Sequence, residues 1–356
     1  MYFWPLISVS ILAPVNNPEL SPRPEPIAIS VVVPVRDEAD SIRRLIEALL
    51  GQTRPPNEIV ITDGGSVDGT REIIREIISQ GAPVKLILDE DSLPGRSRNL
   101  AVANAKNDWI GFIDAGIKPE ASWLAGLAEK VESDSTVDVV YGTYAPVIDS
   151  FFRECAAIAY VPAATITEEG PVRAYSIASA LMRRKVWEQT GGFPEDLRSA
   201  EDLLFMNKVT RAGFHIVRAP RAIVYWNIQP GFWGTFRRFV IYSRNNIRAG
   251  LFGEWQGRIF IYYALIAGSA VSVLKFGPKS LIVPPILWLL LLIARGVTAL
   301  RRNRKTYPAS FAHNLARLSV IVPIIAVLDA ATFAGSISWL LRDKLRLIGG
   351  AHESRG

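Results

Sequence analysis

The sequence predicts an α/β domain on a mostly parallel sheet, followed by helices long enough to cross a membrane. Apolar strand-like runs alternate with helical stretches to about residue 141, several of those runs end in carboxylates, and three long apolar segments follow residue 258.

From the amino terminus, residues 1–15 are apolar but hold Pro5 and Pro14 and no basic leader, which fits an interfacial arm better than a signal peptide or a full span. Asn16 to Pro26 is proline-rich and reads as a linker. Ile29–Val33 then runs into Pro34-Val35-Arg36-Asp37-Glu38, Ile59–Thr62 into Asp63-Gly64-Gly65-Ser66, and Trp109–Ile113 into Asp114-Ala115-Gly116. Between and after them, apolar residues at three- and four-residue spacing predict helices over Ser41–Leu50, Thr70–Ser79, Gly95–Ala105 and Ala121–Val131. Asp40-Ser41 and Asp68-Gly69-Thr70 are candidate helix caps, and Gly51 and Gly81 candidate stops. Such alternation builds right-handed βαβ units. Open sheets of that type bind ligands outside the carboxyl ends of their strands, so the strand-end acids should line one crevice.

The chain is 49% hydrophobic, with the excess after residue 258, and its net charge is +6. Arg237, Arg238, Arg244, Arg248 and Arg258, then Arg301, Arg302, Arg304 and Lys305, flank apolar stretches, which suits anionic lipid headgroups rather than nucleic acid. The single Cys155 rules out an intramolecular disulfide and a cysteine-rich metal site. Ile259–Leu274, Leu281–Leu300 and Leu318–Leu341 run to ~16, ~20 and ~24 residues against the ~20 needed to cross hydrocarbon, so three spans are expected. Pro284-Pro285 should kink the second span or mark its start, and Arg295 should snorkel from its end. Asp329, in mid-span of the third, calls for a structural pairing, a protonated packing role or a lipid substrate. With the globular domain in the cytoplasm, Arg301 to Lys305 and Arg317 fall inside and Lys275 and Lys279 outside, as the positive-inside rule prefers; Arg342, Lys344 and Arg346 then fall outside, against it.

A carboxylate such as Asp63 at a strand end can accept hydrogen bonds from a nucleobase edge or a ribose hydroxyl, and the glycines after it allow close approach. The same string serves equally as a turn with a helix cap. Neither G-x-G-x-x-G nor G-x-x-x-x-G-K-[ST] occurs, which disfavours a dinucleotide dehydrogenase and a P-loop ATPase. Glu201-Asp202 opens the amphipathic stretch Leu203–Ala212; as helix-dipole complementarity alone it is worth ~0.3–1 kcal/mol. His215 falls in an apparent strand, Phe214–Val217, and reads as structural. Trp226, Trp233 and Trp255 suit sugar stacking or, more commonly, a membrane interface.

Taken in order, Val33-Pro34-Val35-Arg36-Asp37-Glu38, Asp63-Gly64-Gly65-Ser66 with Asp68-Gly69-Thr70, Gly95-Arg96-Ser97-Arg98-Asn99, Phe112-Ile113-Asp114-Ala115-Gly116, Gly191-Gly192-Phe193 and Ala200-Glu201-Asp202 resemble glycosyltransferase family 2 over about residues 29–250. The resemblance implies a GT-A fold, a nucleotide-sugar donor and inversion at the anomeric carbon. The expected layout is arm and linker over 1–26, catalytic domain over 27–228, amphipathic interfacial segment over 229–258, three spans over 259–341 and basic tail over 342–356. By the same resemblance, Pro34, Val35 and Glu38 lie near base and ribose, Asp63 on the base, and Arg98 by the nucleotide. Asp114 aligns with the first acid of the D-x-D motif and is the expected ligand of a divalent cation, Mn²⁺ or Mg²⁺; Gly116 stands where the second acid belongs. An ion held largely by diphosphate oxygens and water tolerates that loss, while transfer without metal would lean on cationic groups such as Arg98.

Asp202 is the implied general base, with Glu201 the fallback. Gly231 to Asn246 is placed like the family's Q-x-x-R-W acceptor motif, but Arg238, Ile241 and Tyr242 stand for its Gln, Arg and Trp, so a processive polymer synthase is not expected. Trp233, Arg238, Tyr242 and Arg244 are the acceptor or interface candidates. The implied protein is a multi-pass enzyme of the cell membrane with a cytoplasmic catalytic domain. It would move a hexose, mannose from GDP-mannose first and UDP-glucose next, onto a dolichyl- or polyprenyl-phosphate-linked glycan in N-glycan or surface-glycan assembly. Its partners would be the nucleotide-sugar, the lipid-linked acceptor and membrane lipid, with no nucleic acid. A polyprenyl-phosphate monosaccharide synthase and a non-catalytic nucleotide-sugar-binding scaffold are the alternatives.

Overall fold

β1 (Ile29–Val35) is buried along nearly its whole length, as a continuous apolar run must be when both faces of a parallel strand are covered. It belongs to a computed structural model that describes residues 26–344; the predicted arm, the linker before Pro26 and the tail beyond Lys344 lie outside the described residues. The chain continues through α1 (Ile42–Leu50), β2 (Glu58–Asp63), α2 (Thr70–Ser79), β3 (Val84–Leu88), α3 (Pro94–Asn104), β4 (Trp109–Phe112), β5 (Ile117–Pro119) and α4 (Trp123–Ser133). The four helices fall within two residues of their predicted bounds. α1 buries Ile42, Leu45, Ile46 and Leu49, the one-faced spacing that defines it in sequence, at about 2 kcal/mol per side chain.

After β6 (Val139–Pro146) come α5 (Phe151–Tyr160), a small hairpin of β7 (Thr165–Thr167) and β8 (Gly170–Val172), β9 (Ala180–Arg183), α6 (Arg184–Thr190), α7 (Glu201–Arg211) and β10 (Ile216–Trp226). The main sheet has the order β3-β2-β1-β4-β9-β6-β10-β5. β3, β2, β1 and β4 pair in parallel, as do β6 and β10. β9 runs antiparallel to both β4 and β6, and β5 antiparallel to β10. The sheet is thus mostly parallel, as predicted, with two short reversed strands whose length is too small to reveal direction in sequence. α1, α2 and α4 cover one face and α3, α6 and α7 the other.

The carboxyl-terminal third comprises α8 (Phe232–Arg248), α9 (Phe252–Trp255), α10 (Gly257–Ser269), α11 (Ser272–Phe276), α12 (Val283–Asn303) and α13 (Phe311–Trp339). Three stretches, Gly257–Phe276, Pro278–Asn303 and Phe311–Lys344, are long and apolar enough to cross a membrane. Pro284 and Pro285 lie in the first turn of α12, where missing N–H groups are harmless, so they mark its start rather than kink it. Arg295 does not snorkel: its Nη1 lies 2.5 Å from Oδ2 of Asp329, which also accepts from the Tyr263 hydroxyl at 3.0 Å. A buried carboxylate draws the guanidinium inward because neither charge is solvated alone in apolar surroundings. α13 starts seven residues before the predicted third span, because Ser310 caps it at His313 N–H and Arg317 is buried against Glu154 of α5 instead of marking a membrane boundary.

α5, which the sequence reading did not anticipate, packs Cys155 and Ile158 against Ile321, Ile324 and Ile325 of α13 and Leu292 of α12. Further along α13, the Ser243 hydroxyl of α8 donates to the Thr332 carbonyl at 2.9 Å. Arg244 donates two bonds to Asp343, at 2.8 and 2.9 Å. Helix α13 therefore lies along the globular domain rather than apart from it.

Candidate active site

Register places the predicted acids on one edge of the sheet. Val35 pairs with Asp63, and Val32 pairs with Phe112, so Asp114 stands two residues beyond the last β1–β4 pair. The loops after β1 and β2 are locked together by the side chains of the Asp63-to-Thr70 string. Asp37 N–H donates to Ser66 Oγ, Glu38 N–H to Thr70 Oγ1 and Ala39 N–H to Asp68 Oδ2, at 2.8–2.9 Å, while Val67 N–H donates back to Asp37 Oδ1. Asp37 takes a positive φ of 55° in this clasp. The cap position of α2 is Gly69, which has no side chain to offer, and Asp68 just before it accepts from Thr70 N–H at 3.1 Å. Ser41 occupies the cap position of α1, but its side chain turns to Glu38 and caps no backbone N–H.

Asp63 is fully buried, with Oδ1 accepting from Gly65 N–H, Ser66 N–H and Arg71 Nε at 3.1, 3.0 and 2.6 Å. Burial pushes its carboxyl up, but the bonds from Ser66, Arg71 and Gly65 outweigh it and hold the group below the ordinary aspartate range. Its Oδ2 is buried without a protein partner.

The second half of the site is built where α3 meets the Gly191-Gly192-Phe193 loop. A Cβ at Gly95 would stand 1.9 Å from the Pro194 carbonyl oxygen, so only glycine admits this approach. Asn99 clamps the same loop, donating to Phe193 C=O and accepting from Phe193 N–H, both at 2.9 Å. The clamp delivers Arg98, 4% exposed, to two acids: Nη2 lies 2.6 Å from Asp114 Oδ1 and Nη1 2.6 Å from Glu201 Oε1. Burial opposes the charge of Arg98, but Asp114, Glu201 and Asp202 outweigh it and fix the guanidinium as a cation. Ala200, just before α7, has φ +72°, a conformation that costs a non-glycine residue roughly 1 kcal/mol. It turns Glu201 and Asp202 together into the first turn of α7. One cation among three carboxylates leaves an excess of negative charge. Desolvation, then repulsion from Glu201 and Asp114, accordingly pushes the Asp202 carboxyl up to about 7 despite attraction from Arg98.

The donor set gives a divalent cation little. Asp114 Oδ1 is taken by Arg98, and no group of three or more His, Cys, Asp or Glu is spaced to hold an ion among the described residues. Gly116 has φ +77°, and a Cβ there would meet Glu38 Oε2 at 3.3 Å. A second acid at 116 would therefore be strained and repelled. What remains is the other oxygen of Asp114, whose side chain is 36% exposed; an ion fits only with most of its ligands coming from elsewhere.

Pro34 and Val35 end β1 beside Asp63, and Glu38, Asp63, Arg98, Asp114, Glu201 and Asp202 gather at this edge. The acceptor candidates divide. Tyr242 is half-buried near the cluster: desolvation, then the charges of Asp202, Asp114 and Glu201, raise its pKa, while Arg238 lowers it. Arg238 lies 5.8 Å from the Trp226 ring centroid. Trp233 is 68% exposed, stacked on Phe236, and Arg244 is committed to Asp343 in the turn just beyond α13. His215 precedes β10 instead of lying within it, and its Nδ1 meets Thr136 Oγ1 at 2.9 Å, a structural tie. Sequence reasoning missed the roles of Arg71, Asn99 and the strained Ala200; of these Asn99 and Ala200 sit in strings that stood out, Gly95 to Asn99 and Ala200 to Asp202, and Arg71 in none.

Residues 30–191 match the family model described as glycosyl transferase family 2. Glycosyltransferase AglE of Haloferax volcanii is 26% identical over 199 residues, covering 54% of this chain and 64% of that protein. Succinoglycan biosynthesis protein ExoA of Rhizobium meliloti is 28% identical over 222 residues, covering 58% of this chain and 66% of that one. The matched region thus spans just under two thirds of the length of each of these curated relatives. Among solved structures, the mannosyltransferase PcManGT from Pyrobaculum calidifontis, in complex with GDP-Man and Mn²⁺, superposes with a TM-score of 0.52 at 19% identity over 89% of this chain and 88% of that one, which establishes the shared GT-A-like fold.

Proposed function

From the glycosyltransferase family 2 domain that this chain carries, we propose a membrane-embedded inverting hexosyltransferase that transfers one sugar from a nucleotide donor to a hydroxyl of a lipid-linked glycan. The observation that carries this reading is Asp202: a carboxyl with a proton affinity near neutrality, set beside Asp114 at the sheet edge, where a donor bound over Asp63 would present its sugar. The unpartnered Oδ2 of Asp63 supports a donor on that side, since a buried acceptor atom wants an N–H or O–H.

In the proposed reaction the acceptor hydroxyl oxygen attacks C1 from the face opposite the leaving group. The bond from C1 to the diphosphate oxygen breaks, the nucleoside diphosphate leaves with the electron pair, and the hydroxyl proton passes to Asp202 and then to water. Arg98 positions Asp114 and Glu201 and offsets their charge. Because the cluster is net negative, a diphosphate is better received with a countercharge. Asp114, through its oxygen not given to Arg98, is the residue that would hold a Mn²⁺ or Mg²⁺, which when bound would neutralise charge on the diphosphate.

GDP-mannose is the donor we propose first, UDP-glucose next, with a dolichyl- or polyprenyl-phosphate-type carrier and the catalytic domain on the cytoplasmic face. A bare lipid phosphate, already ionised near neutral pH, would hardly need a base; the raised Asp202 favours the hydroxyl acceptor over a polyprenyl-phosphate monosaccharide synthase. The test is thermal stabilisation of the detergent-solubilised protein by GDP, UDP, GDP-mannose and UDP-glucose, each with Mn²⁺ and with chelator. Stabilisation by the guanine pair alone, strengthened by Mn²⁺, is expected; no shift with any nucleotide would sink the reading.

A further inference from the structure

One face of α8 forms the wall of a second, basic cavity of about 360 Å³. Gly234, Arg237, Arg238, Ile241 and Tyr242 contribute to it, the three- and four-residue spacing of a single helical stripe. Its opposite wall is Arg198 and Ser199, immediately before the strained Ala200 and the acids Glu201 and Asp202. The cavity and the reaction centre are therefore neighbours across three residues of chain, with Tyr242 belonging to both.

The chemistry of this cavity is one-sided. Three arginines line it and no acid does. Elsewhere on α8, Arg244 pairs with Asp343 and Arg248 reaches Asp196. Among the described residues no carboxylate pairs with Arg198, Arg237 or Arg238. Nη1 of Arg238 and Oγ of Ser199 are both buried without a hydrogen-bond partner. Two buried orphan polar groups in a cavity free of acids call for an acceptor-rich anion, and guanidinium forks suit phosphate. The cavity also has room made for it: a Cβ at Gly234 would stand 2.4 Å from Gln229 Oε1, so glycine lets the Gln229 side chain fold over the first turn of α8.

We infer that this cavity binds a phosphate of the lipid-linked acceptor, holding the lipid's headgroup next to the base while the glycan hydroxyl reaches Asp202. The inference rests on the lipid-linked acceptor proposed above. It assigns the phosphate to the acceptor rather than to the donor because the cavity lies on α8, whose exposed Phe232, Trp233 and Ile241 mark an apolar rim suited to acyl chains, whereas Asp63 and Asp114 lie on the sheet edge.

The test measures binding to the detergent-solubilised full chain of a short polyprenyl phosphate, the matching prenol, phosphatidic acid and inorganic phosphate, alongside affinity for GDP-mannose. Expected is at least a tenfold preference for the polyprenyl phosphate over the prenol and over phosphatidic acid. That preference should be lost in both Arg238→Gln and Arg198→Gln, while GDP-mannose affinity stays within twofold, which also certifies the fold of the variants. Polyprenyl phosphate bound equally by wild type and both variants would overturn the site but leave the proposed function standing. A parallel loss of GDP-mannose affinity would give the arginines to the donor, and equal binding of phosphatidic acid would make the cavity a general lipid-headgroup site; either overturns the inference. No preference for phosphate over prenol in the wild type, with donor binding intact, would overturn it together with the phosphate-linked acceptor.

Discussion

Replacing Asp202 by Asn separates catalysis from stability in opposite directions. In the folded protein the Asp202 carboxyl is held near 7, well above the 3.8 of an unperturbed aspartate. Between those values the folded state keeps a proton that the unfolded chain has lost, so stability falls as pH rises through the window, and the deficit is complete above about pH 7. Each tenfold change in proton affinity is worth about 1.4 kcal/mol, so the deficit is of the order of a few kcal/mol before screening at the partly open edge of Asp202 reduces it. Asn removes the charge and should leave the protein at least as stable at pH 8, with most of the difference gone at pH 5. Activity should move the other way, because loss of a general base costs 10²–10⁴ in rate. Nucleoside diphosphate release would be followed from pH 5 to 9, with melting of both proteins recorded alongside. The wild-type rate should rise with pH through an acid limb near 7, with GDP-mannose affinity unchanged in the variant. A variant that retains more than about a tenth of the wild-type rate, or an acid limb near 4, would refute the assignment of Asp202 as base.

Two further perturbations probe the same chain. Gly116→Asp, which restores the missing acid in sequence, should lower the melting temperature and fail to raise Mn²⁺ affinity, because φ there is +77° and Glu38 crowds the new Cβ; calorimetry and titration of Mn²⁺ in the presence of donor read both. Asp329→Asn strands Arg295 in apolar surroundings and should destabilise the protein in detergent by about 3–5 kcal/mol, with donor affinity unchanged by titration.

Much of the site was legible because its strings sit where topology must bring them together. Asp37, Asp63 and Asp114 end or follow strands that pair in parallel, so strand alternation alone predicts a shared edge. Glu201 and Asp202 join them through the Gly95–Pro194 contact, which two glycine-bearing strings mark without revealing that they touch. What sequence could not show is what depends on distance rather than order. The two acids that clamp Arg98 are separated from it by about sixteen and a hundred residues, so it reads as a free nucleotide-binding cation and is instead buried between carboxylates. β9 and α5 were illegible for a related reason. Four residues carry no directional pattern, and the apolar run Phe151 to Tyr160 resembles any core helix until the later spans supply its partner.

The docking of α13 also bears on the charge pattern that three spans left unreconciled. Arg317 near its start is held by Glu154 of α5, and Asp343 near its end by Arg244 of α8, roughly 39 Å apart along the helix. If α13 crossed the bilayer, α5 and α8 would have to cross beside it, yet α8 presents Arg237, Arg238 and a cavity of unpaired polar groups, which hydrocarbon does not tolerate. An arrangement that spares α8 would have Gly257–Phe276 and Pro278–Asn303 enter as a hairpin, with Lys275 and Lys279 at its far turn. In that arrangement α13, itself long and apolar enough to span, would lie in the interface along the domain. Arg342 and Lys344 would return to the side of Arg301, Arg302, Arg304 and Lys305, and the positive-inside bias becomes uniform. Cysteines introduced singly at Lys344 and at the exposed Glu72 of α2, in a chain whose own Cys155 is buried, should react with an impermeant maleimide in vesicles of the same orientation. Reaction of the two in opposite orientations would restore α13 as a span and require α8 to leave it in the membrane.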